Sequence, residues 1–236
     1  MISAALLILA FIAVFLYIGV PWIYGRCSRI LLRLRAVKAR ALVLTLDDGP
    51  GNKLTPEIMD LLDKNNAKAS FFLLGRNIVG REAIVRQIAE RGHEICSHGY
   101  DHLHCWKVSP FRAISDIKRG WEAIDKALGE KRRVYPYRPP GGKLSLICLF
   151  YLWFHRVPIV YWTLDSSDTW AAEIRDSQRS ATLAAKTGGA VVLAHDFDRE
   201  DDDWDRMEID IVDSSLAVAR EKRMKVMPLS ELMVVK

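Results

Sequence analysis

Apolar positions follow two different patterns along this chain of 236 residues. From Met1 to Gly25 no side chain is charged and Ile2 to Ile23 is almost wholly apolar, whereas beyond Ala41 short apolar runs alternate with segments of helical period. The short runs predict strands at Ala41–Leu46, Ala69–Leu74, Glu94–Ser97, Val134–Tyr137, Ile159–Leu164, Ala190–Ala194 and Lys225–Met227. Helices are predicted between most of them. Thr55–Asn65 opens with Thr55-Pro56-Glu57 as cap and first turn, Ile84–Arg91 is ended by Gly92, and Pro110–Leu128 is ended by Gly129. Strands separated by helices argue for an α/β domain with a parallel sheet or barrel. No internal repeat or low-complexity linker interrupts residues 41–236, which therefore read as one domain. Leu146–Phe154, where Phe150, Tyr151 and Trp153 are interleaved with Leu, Ile and Cys, reads as core ahead of a membrane-facing patch.

Length changes the meaning of the first segment. At about 1.5 Å per residue, Ile2–Ile23 as a helix spans roughly 33 Å, which matches a bilayer core of about 30 Å. There is no basic region before it and no small-residue cleavage site near Gly19–Tyr24, so residues 1–25 read as an uncleaved, single-pass transmembrane anchor. Arg26, Arg29, Arg33, Arg35, Lys38 and Arg40 follow at once, with no acidic residue in the first 40. Residues 26–40 thus form a basic juxtamembrane segment suited to anionic lipids, each cation contributing about 1 kcal/mol near such a leaflet. The formal net charge of +5 belongs to that collar, and the near-neutral remainder excludes the distributed basic footprint of nucleic-acid binding. All six positives lie C-terminal to the apolar stretch, so the charge rule puts the domain on the cytoplasmic face. Cys27, Cys96, Cys105 and Cys148 show no Cys-x-x-Cys spacing and read as reduced, packed thiols.

Candidate chemistry collects at the ends of the predicted strands. Asp47 and Asp48 follow the first strand before a Gly-Pro turn, His98 the third, Arg138 the fourth, Asp165 the fifth and His195 the sixth. In a βα barrel these ends converge on one rim, so residues scattered along the sequence form a single site. Adjacent carboxylates push their pKa values apart, which lets one ligate a cation while the other takes a proton. In Ser97-His98-Gly99-Tyr100-Asp101-His102 two imidazoles stand four residues apart, on one face if the backbone turns helically there. With one Asp they offer a carboxylate and two imidazoles with coordination positions left open, the pattern of a catalytic metal site. The same donor set serves non-heme iron oxygenases, but the second Asp, the Arg-Pro-Pro segment and the distal His fit hydrolysis better. Glu200-Asp201-Asp202-Asp203 reads as a solvated loop.

Five segments in order carry a resemblance. Thr45-Leu46-Asp47-Asp48-Gly49-Pro50, His98 to His102, Arg138-Pro139-Pro140-Gly141-Gly142, Asp165-Ser166-Ser167-Asp168-Thr169-Trp170 and Leu193-Ala194-His195 resemble the five motifs of the polysaccharide deacetylase family, carbohydrate esterase family 4, with its NodB homology domain. The resemblance covers Ala41 to the end. It implies a distorted (β/α)7-type barrel, here preceded by an N-terminal transmembrane helix, and a hydrolase acting on a linear amide. By resemblance Asp48, His98 and His102 hold a divalent metal, generally Zn2+, with Co2+, Mn2+ or Ni2+ as alternatives. Asp47 is then the general base, held by Arg138, and His195 the general acid, oriented by Asp165. Gly141 supplies an oxyanion donor, and Pro140, Trp170 and Leu193 line the substrate site. Two departures stand out: glycine at 141, where the family commonly has an aromatic, and Thr169 inserted between Asp168 and Trp170.

The implied activity is N-deacylation, acetyl or formyl, of an amino sugar. A cytoplasmic, membrane-held domain favours a glycolipid such as a polyprenyl-phosphate-linked sugar. An external one favours peptidoglycan or chitin-like polysaccharide. The reading from another class is an inactive membrane-tethered glycan-binding module.

Overall fold

A computed structural model of the chain describes residues 4–131, 134–199 and 202–235. It opens with one helical rod: α1 (Ala4–Val14), a π-type turn (Phe15–Gly19) and α2 (Val20–Ala39). The wide turn lies just before Pro21, which has no N–H to continue the regular ladder. The rod is long and apolar enough to cross a membrane, by length and composition.

Six parallel strands follow: β1 (Ala41–Asp47), β2 (Ser70–Leu73), β3 (Glu94–Ser97), β4 (Leu164–Asp165), β5 (Ala190–His195) and β6 (Lys225–Val226). Their order is β3-β2-β1-β5-β4, with β6 paired to the start of β1. Single parallel bridges, Ser97 to Tyr137 and Tyr137 to Ile159, carry the path from β3 to the segment that enters β4. The barrel is distorted because two predicted strands, Val134–Tyr137 and Ile159–Leu164, contribute bridges and a two-residue strand in place of full ladders. Pro136 and Pro158 each lack the N–H that a ladder requires. Every residue of β1 is buried, as a parallel strand covered on both faces should be.

Around the sheet lie α3 (Leu54–Lys64), α4 (Gly75–Ile78), α5 (Glu82–Glu90), α6 (Pro110–Leu128), α7 (Leu146–Phe154), α8 (Arg179–Thr187), α9 (Asp202–Glu221) and α10 (Leu229–Met233). At α6 the predicted bounds hold, with Pro110 opening the helix and Gly129 closing it at φ +69°; the Ser109 side chain, which accepts from Arg112 N, adds an N-cap that the sequence reading did not name. The acidic run does not form a loop throughout. Glu200 and Asp201 lie outside the described residues, and α9 begins at Asp202.

Two expectations are corrected. The basic segment 26–40 is not a separate collar but the continuation of the rod, and it packs on the barrel through Leu32 and Ala36, both buried. The Arg29 guanidinium stacks over Tyr161 and Trp162 at 4.6 and 5.0 Å, Arg35 reaches Met233 Sδ, and Arg40 Nη2 donates to Lys222 O. Half of the cations assigned to the lipid surface therefore serve the domain. Residues 146–154 are not core throughout either. Cys148 and Leu152 are buried, while Phe150 is 60% and Trp153 72% exposed, because only one side of α7 meets protein. All four cysteines are free, and Cys27 is exposed.

The contact between rod and barrel is tight enough to test. A Cβ on Gly189 would lie 2.2 Å from Ala36 O, so Gly189→Ala must push α2 off the start of β5. The expected loss is about 1–3 kcal/mol, read as a lower midpoint in denaturation of the full chain in detergent micelles; an unchanged midpoint would show that α2 is not locked to the barrel.

Candidate active site

The C-terminal ends of β1, β3 and β5 bring the polar motifs together. Asp47 and His195 are register partners on neighbouring parallel strands, which puts the two expected proton carriers about 5 Å apart at the backbone. Between them and β3 stands Arg138, with no exposed surface. Its Nη1 donates to Asp47 Oδ1 at 2.6 Å and Thr45 Oγ1 at 2.9 Å, Nη2 to Tyr161 O at 3.3 Å, and the guanidinium lies 4.0 Å from the Phe72 ring centroid. Burial pushes the Asp47 carboxyl above its ordinary value, and Arg138 pulls it back part of the way.

Asp48 points elsewhere because its backbone has φ +70°, a left-handed conformation that Asp tolerates better than most residues. Its carbonyl accepts from Asn77 Nδ2 at 2.7 Å. Asp48 Oδ1 lies 3.5 Å from His98 Nε2 and 3.7 Å from His102 Nε2, and this buried oxygen has no hydrogen-bond partner. His98 Nδ1 stands 2.8 Å from Arg138 O. A carbonyl can only accept, so Nδ1 carries the proton and the Nε2 lone pair faces Asp48. Burial lowers the His98 pKa to about 3, which keeps the ring neutral as a ligand must be.

These atoms fit a divalent cation. Metal bonds of about 2.0–2.2 Å in a tetrahedral array separate the donors by roughly 3.3–3.6 Å, close to the spacings found. A carboxylate oxygen left buried without a donor is what an absent cation would explain. Three protein ligands leave positions open for water and substrate.

The loop that carries the imidazoles is not helical. His102 adopts φ +58° and Gly99 φ +87°, and the loop is gripped by Asp116 of α6, whose Oδ2 and Oδ1 accept from Tyr100 N and Asp101 N at 3.1 and 2.8 Å. A Cβ on Gly99 would lie 2.4 Å from that carboxylate. The Asp47–Gly51 loop is braced in the same way by two acids that sequence reading missed. Asp196 presses on Gly49, where a Cβ would meet it at 2.3 Å, and takes the Thr55 hydroxyl at 2.6 Å. Asp198 accepts from the backbone N–H groups of Asn52, Lys53 and Leu54, capping α3. Burial raises the Asp196 pKa to about 7. The pattern Asp-x-Asp after His195 was the available signal.

The largest correction concerns the partner of His195. Asp165 turns back on its own loop and accepts from Ser167 N at 2.9 Å. Asp168 Oδ2 instead meets His195 Nδ1 at 2.5 Å. The tight Asp165–Asp168 turn, with Ser167 at φ +69°, is what exchanges the two carboxylates. Burial opposes a charge on His195, but Asp168 overrides it and holds the pKa up at about 9; the Asp168 carboxyl is correspondingly held low. Glu208 of α9, also missed, stands beside them, with donor atoms of Asp168, His195 and Glu208 within 4.8 Å of one another. Burial and the neighbouring Asp168 carboxylate push its carboxyl well above the ordinary value. Arg199 Nη2 lies 3.9 Å from both Asp168 and Glu208.

Of the expected substrate-site residues, Pro140 and Gly141 lie in a 3-10 turn with Gly141 at φ +59°. The nearest side chain to a Cβ there would be His104, at 3.7 Å, and the neighbouring Gly142 faces Arg29 and Trp162. Leu193 is a buried register partner of Thr45 and Asp165 in β5. Trp170 lies half-buried under the Arg179 guanidinium at 4.8 Å, contacts that do not describe the wall of an acyl pocket.

Comparison with known proteins bears on the family and the fold. Residues 35–150 match the family model for polysaccharide deacetylase. A chitooligosaccharide deacetylase of Sinorhizobium fredii is 30% identical over 161 residues, 67% of this chain and 73% of the relative. The peptidoglycan-N-acetylglucosamine deacetylase PgdA of Listeria monocytogenes is 31% identical over 165 residues, 69% of this chain. This chain spans about a third of the PgdA length, 34%. Among solved structures, the Bc1960 peptidoglycan N-acetylglucosamine deacetylase, in complex with 4-naphthalen-1-yl-N-oxidanyl-benzamide, superposes with a TM-score of 0.68 at 27% identity, covering 82% of this chain and 87% of that one.

Two measurements test the geometry. Asp48→Ala and His98→Ala should each abolish the bound divalent metal seen by elemental analysis of the wild-type chain; full stoichiometry in both would remove the assigned site. The folded pKa of His195 is raised, so its ion pair stabilises below the ordinary value of about 6.5 and is lost as pH rises through about 9. Asp168→Asn should therefore return the His195 midpoint toward the ordinary value in an NMR titration of the metal-free chain, and Asp165→Asn should leave it in place.

Proposed function

Because the chain belongs to the polysaccharide deacetylase family, we propose that it is a metal-dependent hydrolase that removes the N-acetyl group of an amino sugar. The observation that carries the reading is the partnerless Asp48 Oδ1 beside two imidazole nitrogens, with an acid and a base on adjoining strand ends. Asp48, His98 and His102 would hold the metal, zinc being the first choice for two nitrogens and an oxygen with open positions. When bound, it would polarise the amide carbonyl and acidify water.

The remaining steps belong to the chain. Asp47, aimed by Arg138, takes a proton from the attacking water. The water oxygen bonds to the carbonyl carbon, and the Gly141 N–H would serve as a donor to the oxyanion. As the C–N bond breaks, His195 gives its proton to the leaving amine, and Asp168 keeps the imidazole charged and in the tautomer that points Nε2 at the sugar. Acetate and a free amino sugar result. The same chemistry accommodates a formyl group.

The favoured substrate is a membrane glycolipid such as a polyprenyl-phosphate-linked amino sugar. Its support is the unbroken rod: Arg29, one helical turn beyond Tyr24, stands against Trp162 and Gly142, so the loop containing Gly141 sits close above the end of the apolar stretch. The basic residues after that stretch favour a cytoplasmic domain. Peptidoglycan or a chitin-like polymer is the second reading, favoured by what the relatives are named for, and it requires the opposite sidedness.

Asp47→Asn should retain metal and lose roughly two to four orders of magnitude in turnover, assayed as amine release from N-acetylglucosamine oligomers; a near-normal rate would mean that the base lies elsewhere, and an intact biological phenotype despite lost turnover would favour the binding-module reading. Sidedness separates the substrates. An exposed cysteine introduced near the C-terminus should be protected from an impermeant thiol reagent in intact cells, and labelling from outside would transfer the assignment to the cell-wall polymers.

A further inference from the structure

α7 presents an apolar face to the outside. Its nine residues, Leu-Ile-Cys-Leu-Phe-Tyr-Leu-Trp-Phe, include no charge, and Ile147, Phe150, Trp153 and Phe154 are 47%, 60%, 72% and 79% exposed. Scattered single exposures need no explanation, but four large side chains on one nine-residue helix form a patch that a water-soluble surface rarely carries. The inner face is ordinary protein: Cys148 and Leu152 are fully buried, and Trp121 of α6 stacks with Tyr151.

What decides the occupant of the outer face is where α7 packs. It lies against the π-type turn Phe15–Gly19 and against α2, and together they form an apolar groove of about 370 Å³ lined by Val20, Tyr24, Leu146, Leu149, Phe150 and Trp153. If the rod crosses the membrane, its polar boundary is at Gly25–Arg26, where the first charge appears. Gly19 is then about 9 Å inside that boundary at 1.5 Å per residue. A helix in contact with Phe15–Gly19 cannot stand clear of the bilayer. Lys143 precedes α7, Arg156 follows it, and Arg26 leaves the rod at the same boundary, so positive groups flank the apolar face where lipid phosphates lie.

We propose that α7 is a second membrane-seated element: its outer face lies in the bilayer at the boundary of headgroups and acyl chains, beside the transmembrane rod. Unlike an amphipathic interfacial helix, α7 has no polar face: its inner side packs on the barrel through Cys148 and Leu152, and only its outer side is left for the lipid. Two contacts with the bilayer fix the tilt of the barrel as well as its height. Ser145, which caps α7 through Cys148 N, is only three residues from Gly142, so the seat also holds the Pro140–Gly142 turn near the lipid. The inference depends on the rod crossing the membrane and on nothing about catalysis.

Spin labels test it in the full chain, reconstituted in vesicles of phosphatidylethanolamine and phosphatidylglycerol. With Cys27→Ser removing the exposed thiol, single labels are placed through Phe150→Cys, Trp153→Cys, Ile12→Cys in the rod and Asp213→Cys on α9. Labels at 150 and 153 should collide with oxygen several-fold more, and with an aqueous nickel chelate several-fold less, than the label at 213. The label at 12 should behave as one in acyl chains. Nickel access at both 150 and 153 equal to that at 213, with 12 in lipid, would overturn the seating of α7 alone; nickel access at 12 would overturn the crossing of the rod and the seat with it. Retained divalent-metal binding in each variant reports that the barrel is folded.

Discussion

The buried pair between Arg138 and Asp47 is the constraint around which the site is assembled. A guanidinium with no solvent contact must be met by anions and carbonyls, and here Nη1 is met by two side chains of β1, Asp47 and Thr45, and Nη2 by the carbonyl of Tyr161. Thr45 in turn donates to Val192 O of β5. Removing one member of such a pair leaves a charge stranded, at a cost of about 3–5 kcal/mol. The Arg138 carbonyl also orients His98. One residue therefore ties the base to the sheet and aims a metal-ligand candidate, so the two halves of the chemistry cannot drift apart without exposing a buried charge.

Around that pair the two ligand-bearing loops are held by carboxylates pressed against glycine. Asp196 closes on Gly49 and Asp116 on Gly99, and in both places a side chain would occupy the volume of the carboxylate. The site thus contains more acids than the reaction uses, and they fall into different states for physical reasons. Asp168 stays ionised because His195 neutralises it in place. Glu208 and Asp196, buried without an equally close cation, are pushed toward the protonated form.

The N-terminal rod is fixed to the barrel. Leu32 and Ala36 are buried in that contact, and α2 packs on β1, β5, α10 and α7, so rod and barrel are joined along several elements rather than at one hinge.

Much of this was legible without coordinates. The apolar stretch, the alternation of strands and helices, and the order Asp47-Asp48, His98, His102, Arg138, His195 are local patterns, and local patterns survive in sequence. The end of α6 followed from Gly129 because caps are decided by neighbours in the chain. Three things were decided only in three dimensions. Which carboxylate meets His195 depended on a left-handed turn at Ser167 that reverses the chain within four residues, so Asp168 arrives where the family resemblance put Asp165. Asp116, Asp196, Asp198 and Glu208 act across the fold; the Asp-x-Asp after His195 was visible in sequence, but what each of these acids meets was not. The outer face of α7 has the composition of a core helix; whether an apolar face meets protein or lipid depends on what the fold places against it, and here the fold places only the rod on its flank.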